Sequence, residues 1–165
     1  SRIKMFKSII ATTLALAAVA NGQDIVARDT ALCNDYCGVE WPGVASCSEV
    51  CIAAATGEIT DCAADADSSK EEKYPFWSGC SYGQAVGKHG TCDAFCDQLR
   101  FEHHLSKFFE LGCSHVCNAV VKGAKGSRPV SCRNHLCNFV KIEACWRGCN
   151  YAAGIVEGTV ESDRT

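Results

Sequence analysis

From residue 101 to 121 the chain reads FEHHLSKFFELGCSHVCNAVV. Leu105, Phe108, Phe109, Val116 and Val120 recur there at the spacing of one helix face. This pattern predicts an amphipathic helix whose apolar stripe faces a core. A different pattern lies near the start. After Met5 and the basic Lys7, Ile9–Ala20 is apolar and broken only by small hydroxyl residues. It is shorter than the ~20 residues that a bilayer-spanning helix needs. With small residues after it, it reads as a secretory leader over residues 1–22, with 1–4 as upstream sequence. The expected mature protein is soluble, secreted and extracellular.

The cysteines follow the helical period too. Cys33 and Cys37 are four apart, as are Cys47 and Cys51, Cys92 and Cys96, Cys113 and Cys117, and Cys145 and Cys149; Cys132 and Cys137 are five apart. Positions i and i+4 share a helix face. Two such helices packed antiparallel face their cysteines across one seam, which favours nested bonds. The expected pairs are Cys33–Cys51 with Cys37–Cys47, Cys92–Cys117 with Cys96–Cys113, and Cys132–Cys149 with Cys137–Cys145. Cys62 and Cys80 remain and pair as a hairpin that kept only its inner staple. Glu58 and Gln84 then stand where an outer pair would sit.

A phrase recurs across these units: CSEVCIAAATG at 47–57, CSHVCNAVVKG at 113–123 and, more loosely, CWRGCNYAAG at 145–154. It reads as the second helix of a hairpin, closed by Gly57, Gly123 or Gly154 in the left-handed conformation. Ala53–Ala55, Ala119 and Ala152–Ala153 leave room for close helix approach. The predicted fold is therefore all-α, an array of short disulfide-stapled antiparallel helical hairpins. Three units span 33–51, 58–84 and 92–117 within residues 23–121. A glycine-rich linker covers 122–131, a fourth unit 132–154 and a polar tail 155–165. Residues 23–31 read as an extended N-terminus or pro-segment. Trp41-Pro42-Gly43 reads as a turn, and ADADSSKEEKYP at 64–75 as an exposed loop. Each unit, at ~20–30 residues, is too small for a core of its own. A disulfide closing a loop of such length contributes about 3 kcal/mol in the chain-entropy account.

Charge narrows the function. The chain has 16 basic and 19 acidic residues; losing Arg2, Lys4 and Lys7 with the leader leaves 13 against 19, a net charge of −6. That weighs against nucleic-acid binding, which uses a basic stripe, and against membrane-lytic activity. Fourteen cysteines in a secreted chain imply up to seven disulfides. No Asn-x-Ser/Thr acceptor is present.

Enzyme chemistry finds little support in these residues. GCSYGQAVGKHGTCDAFCDQLRFEHH, residues 79–104, is similar in passing to the calcium loop and active-site helix of secreted phospholipases A2. That chemistry needs a His-Asp pair beside a helical cysteine. Here Cys92-Asp93 and Cys96-Asp97 lack an adjacent base. Asp65 and Asp67 hint at a calcium loop without its glycine and closing glutamate. His103, His104, Glu110 and His115 offer zinc-ligand types, but adjacent histidines point to different helix faces. His89 has no evident triad partners. The expectation is no catalytic residue, no metal and no cofactor.

The paired C-x3-C framework resembles the α-hairpinin scaffold of plant defence peptides and similar helical-hairpin toxins. This resemblance covers the cysteines of three units and not their loops. It implies a rigid platform used in protease inhibition, antimicrobial action or channel block. Lys141 in the last unit's loop is the candidate inhibitory residue, with Arg100 and Lys107 weaker ones. The leader and small cysteine-rich body also look like the secreted effectors of filamentous fungi. The function expected is a secreted, non-enzymatic, effector- or toxin-like interaction protein. It would bind an extracellular or host protein or glycan through loops on the scaffold. The candidate contact residues are Trp41, Trp77 and Lys141, with Trp146, Tyr74 and Phe76 behind them. The alternatives are a self-assembling extracellular structural protein, or a protease inhibitor or antimicrobial.

Overall fold

The computed structural model describes residues 23–62, 70–88, 90–123, 132, 137 and 143–162. Among these residues there are helices and no strands. We number them α1 (23–40), α2 (Ala45–Thr56), α3 (Lys70–Lys88), α4 (Cys92–Glu102), α5 (Lys107–Gly123) and α6 (Glu143–Ser162). No helix is long and apolar enough to cross a membrane among the described residues.

All fourteen cysteines are paired, in the seven bonds that the spacing predicts. Nested bonds hold α1 against α2 and α4 against α5 as antiparallel hairpins. The cysteines are buried and make up much of the core. Local signals set the helix ends. Thr91 caps α4, its hydroxyl accepting from the Ala94 N–H at 3.3 Å. Gly57 closes α2 at φ 85° with its N–H on the Ala54 carbonyl.

The helices do not stack in chain order. α3 packs on α2 and on α6, and α5 packs on α6 and on α4. α6, the last helix, thus lies between α3 and α5. Tyr74 meets Trp146, Asn150 donates to Ser78, and Gly154 lies on Tyr82, so α3 and α6 run in the same direction.

This arrangement follows one plan in two halves. WSGCSYG at 77–83 matches WRGCNYA at 146–152, and CNDYC at 33–37 matches CDAFC at 92–96. Gly79 lies on the Cys47 carbonyl, where a Cβ would collide; Gly148 lies on the Cys113 carbonyl in the same way. Tyr36 of α1 stacks on Tyr82 of α3 at 3.9 Å, and Phe95 of α4 stacks on Tyr151 of α6 at 3.9 Å. Cys80 therefore corresponds to Cys149, and Cys62–Cys80 to the outer bond Cys132–Cys149 rather than to an inner staple. Cys137–Cys145 has no counterpart in the first half. Cys62 also reaches Cys80 from non-helical chain, because residues 57–62 are outside any helix. Gln84 holds that arm, its Nε2 donating to the Thr60 carbonyl at 2.8 Å.

Five local expectations are corrected. Residues 23–31 belong to α1 and are not extended. α3 begins at Lys70, so 70–75 of the expected loop is helical, with Pro75 inside the helix. Gly154 does not end a helix, because α6 continues to Ser162 through most of the expected tail. Its bare Cα instead lets Tyr82 approach, where a Cβ would strike the Tyr82 carbonyl. Phe108 faces solvent at 86% exposure and is absent from the core stripe that Phe109 and Val120 do join. Of the expected linker 122–131, Lys122 and Gly123 instead end α5; residues 124–131, and 64–69 of the expected loop, lie outside the described residues.

Candidate functional site

Trp77, Trp41 and Lys141 have different fates. Trp77 is only 8% exposed. Tyr74 meets its ring edge-on at 5.8 Å, and Lys73 Nζ and the Arg147 guanidinium each sit 4.8 Å from its centroid. It is an interior residue. Trp146 is buried as well. Trp41, in the α1–α2 turn, is half-buried and tilts against Trp146 at 5.9 Å. With Asn34, Val44 and Ser48 it lines a shallow concavity of about 260 Å³. Gly43, at φ 81°, makes the turn that opens it. Lys141 lies outside the described residues.

A second surface escaped the sequence reading. Phe101, Phe108 and Leu111 are 62%, 86% and 56% exposed at the turn end of the α4–α5 hairpin. Phe101 is five residues beyond Cys96 and Phe108 five before Cys113, so one staple holds both at the same distance. Leu111 lies one turn along α5 from Phe108. Charges frame them. Arg100 Nε lies 2.6 Å from Glu110 Oε2, with its guanidinium 4.3 Å from the Phe101 ring; Lys107 also pairs with Glu110. The turn is fixed by its backbone. His104 takes φ 51°, and the Leu105 N–H reaches back to the Arg100 carbonyl at 3.0 Å. This is the left-handed closure in which glycine is usual. The signal for the patch was in the sequence. Counting from the staple cysteines, Phe109, Cys113, Val116 or Cys117, and Val120 form one face, and Phe108 and Leu111 fall off it.

A buried polar cluster joins α1, α3 and α6. The Tyr36 hydroxyl donates to Asn150 Oδ1, and Asn150 Nδ2 donates to the Trp146 carbonyl at 2.6 Å and to Ser78 Oγ at 3.2 Å. Tyr82 donates to Glu157. Burial pushes both tyrosine hydroxyls far above their ordinary range, and the nearby Glu157 adds to this. Burial also raises the Glu157 carboxyl, against the lowering effect of the Tyr82 hydrogen bond. Arg147 lies buried close by, 2.5 Å from Glu143, and loses basicity mainly to burial. Tyr36, Asn150, Ser78, Tyr82 and Glu157 are joined by these bonds inside a helix interface and serve its packing, whereas Arg147 Nε and Nη1 are buried without a hydrogen-bond partner.

The residue types considered for enzyme chemistry are dispersed. Asp93 accepts from Asn118 Nδ2 at 3.1 Å on the surface, and Asp97 lies 3.7 Å from Arg100. Glu110 is engaged by Arg100 and Lys107, and His115 is exposed. His103 instead meets Asp61, with Nε2 3.0 Å from Oδ1. His89, Asp65 and Asp67 lie outside the described residues. With every cysteine in a disulfide, no thiol is left to act as a nucleophile.

Seven disulfides on an all-helical frame point to a cysteine-rich protein of an oxidising, extracellular setting. Comparison with protein-family models, with curated proteins and with solved structures finds no match for this chain.

Proposed function

We propose that this is a non-enzymatic extracellular interaction protein, effector- or toxin-like, whose disulfide frame holds an apolar hairpin tip out to a protein partner. The observation that carries the reading is the exposure of Phe101, Phe108 and Leu111 on a hairpin locked by Cys92–Cys117 and Cys96–Cys113. Three large apolar side chains left in water on one short hairpin are costly for a solitary protein and favourable at an interface. The bonds below them remove conformational freedom before binding, so little ordering cost remains at the tip. Arg100, Lys107 and Glu110 supply a charged rim that can orient a partner. The Trp41 concavity at the other hairpin's turn is a smaller companion surface.

The test compares the oxidised protein with a Phe101→Ser, Phe108→Ser, Leu111→Ser variant. Each is immobilised and exposed to extracellular extract, while light scattering follows its size across a concentration series. A monomer that saturates with one partner, lost in the variant, supports the reading. Equal capture by the variant overturns it. Growth of the wild type alone into large assemblies also overturns it, and makes the protein a self-assembling structural one.

A further inference from the structure

We propose that Asp61, Glu102 and His103 form a binding site for a divalent transition ion of the zinc type. One ligand atom from each converges with the others within 4.8 Å. His103 Nε2 is already 3.0 Å from Asp61 Oδ1. Around an ion with bonds of ~2.0–2.2 Å, tetrahedral ligand atoms stand roughly 3.3–3.6 Å apart, so this pair needs little change. His103 Nε2 is shielded from solvent, yet its line to Asp61 lacks the alignment of a hydrogen bond. A ring nitrogen turned inward at carboxylates without a directed proton bond suits an ion between them.

The surroundings agree in sign and stiffness. Two carboxylates and a neutral imidazole balance a doubly charged cation. Glu102 and His103 close α4, where the helix's negative end favours a cation. The αL turn at His104 and the His103 N–H on the Leu99 carbonyl at 3.2 Å fix the backbone beneath the imidazole. Asp61 is the residue before Cys62, anchored to α3 by the disulfide to Cys80. Glu102 is exposed and accepts from Gln98 at 2.7 Å, so it can turn inward. Arg147 feels the Asp61 charge and competes for it. Arg100 is held by Glu110 at 2.6 Å. The imidazole selects zinc-like ions over calcium and magnesium, which prefer all-oxygen cages. Three protein ligands leave a coordination position for water.

Such an ion would join what no disulfide joins. Asp61 belongs to the first half of the chain and His103 to the second, and all seven disulfides stay within one half. The oxidised full-length protein, stripped with a chelator, is titrated with zinc chloride by calorimetry, and its thermal midpoint is followed with and without zinc. One saturable site is expected, with a raised midpoint. Affinity should fall at least tenfold in His103→Ala and in Asp61→Asn, and stay within twofold in His115→Ala. Calcium at equal concentration should show no saturable heat. Circular dichroism confirms that each variant keeps its helices. Absence of saturable zinc binding, or unchanged affinity in both His103→Ala and Asp61→Asn, overturns the proposal. The surface variants that test partner binding leave this site intact, so the two readings fail separately.

Discussion

Tyr82 lies flat on Tyr36, with ring centroids 3.9 Å apart and planes 9° from parallel, and each hydroxyl serves a different neighbour. Tyr36 donates to Asn150 of α6, and Tyr82 to Glu157 of the same helix. The pair therefore ties the first hairpin and α3 to α6. Tyr36→Phe keeps the ring and leaves Asn150 Oδ1 unpartnered in the interior. It should cost about 1–3 kcal/mol. Tyr36→Leu should cost more, because it also loses a stack of about 0.5–1.5 kcal/mol. Guanidinium unfolding with the disulfides intact measures both. Equal stability of wild type and Tyr36→Phe would rule out the buried bond.

The α2–α3 contact depends on bare Cα atoms. A Cβ at Gly79, Gly83 or Gly87 would collide with the carbonyl oxygen of Cys47, Cys51 or Ala55, and backbone atoms cannot rotate away. Gly83→Ala should destabilise by about 1–3 kcal/mol or more. Gly38→Ala, in α1 with open space around it, should gain up to about 1 kcal/mol of helix propensity. The same unfolding series checks both signs, and a neutral Gly83→Ala would contradict the close packing.

Glu157 supplies a pH dependence. Its carboxyl is raised from the ordinary 4.5 by burial, with Asp35 and Glu40 adding to the rise. The fold thus favours its protonated form. That stabilising increment is complete below the ordinary carboxylate value and is lost as pH rises through the raised one. Glu157→Gln keeps an acceptor for Tyr82 and removes the titration. The variant's stability relative to wild type should increase between pH 4 and pH 7. Parallel pH profiles for the two proteins would contradict this.

Exposure separates two phenylalanines. Phe108→Ser should change stability by no more than about 0.5 kcal/mol, because the ring is 86% exposed. Phe95→Ala removes the ring stacked on Tyr151 and should cost about 3–5 kcal/mol. Thermal unfolding of the two variants measures the difference. Comparable losses would return Phe108 to the core, where its place in the apolar stripe had suggested it belonged.

The disulfide pairing was legible because i, i+4 cysteines must share a helix face, and antiparallel pairs can then close in one nested way. The spatial order of the helices was not, since nothing local in α6 says that it inserts between α3 and α5. Aligning the chain on its cysteine pairs sets 145–154 beside 47–57. The packing sets it beside 76–85 instead, where Trp-x-Gly-Cys lies in register. Gly154 looked like a helix end because glycine serves both a left-handed turn and a close approach, and only the neighbour Tyr82 decides between them. Trp77 and Trp41 could not be told apart along the chain. Their difference comes from Arg147 and Lys73 flanking one, and from the turn at Gly43 exposing the other. The exposed tip was legible in part, from the faces set by Cys113 and Cys117.

The whole account stands on a closed frame, because the tip is presented only if the staples beneath it form. A peptide map of the oxidised protein under non-reducing conditions tests this most directly. It should yield seven linked pairs, including Cys62–Cys80 and Cys96–Cys113, and no free thiol. A free thiol, or a bond joining any cysteine of residues 33–80 to one of residues 92–149, would contradict the two-half fold and the display surface built on it.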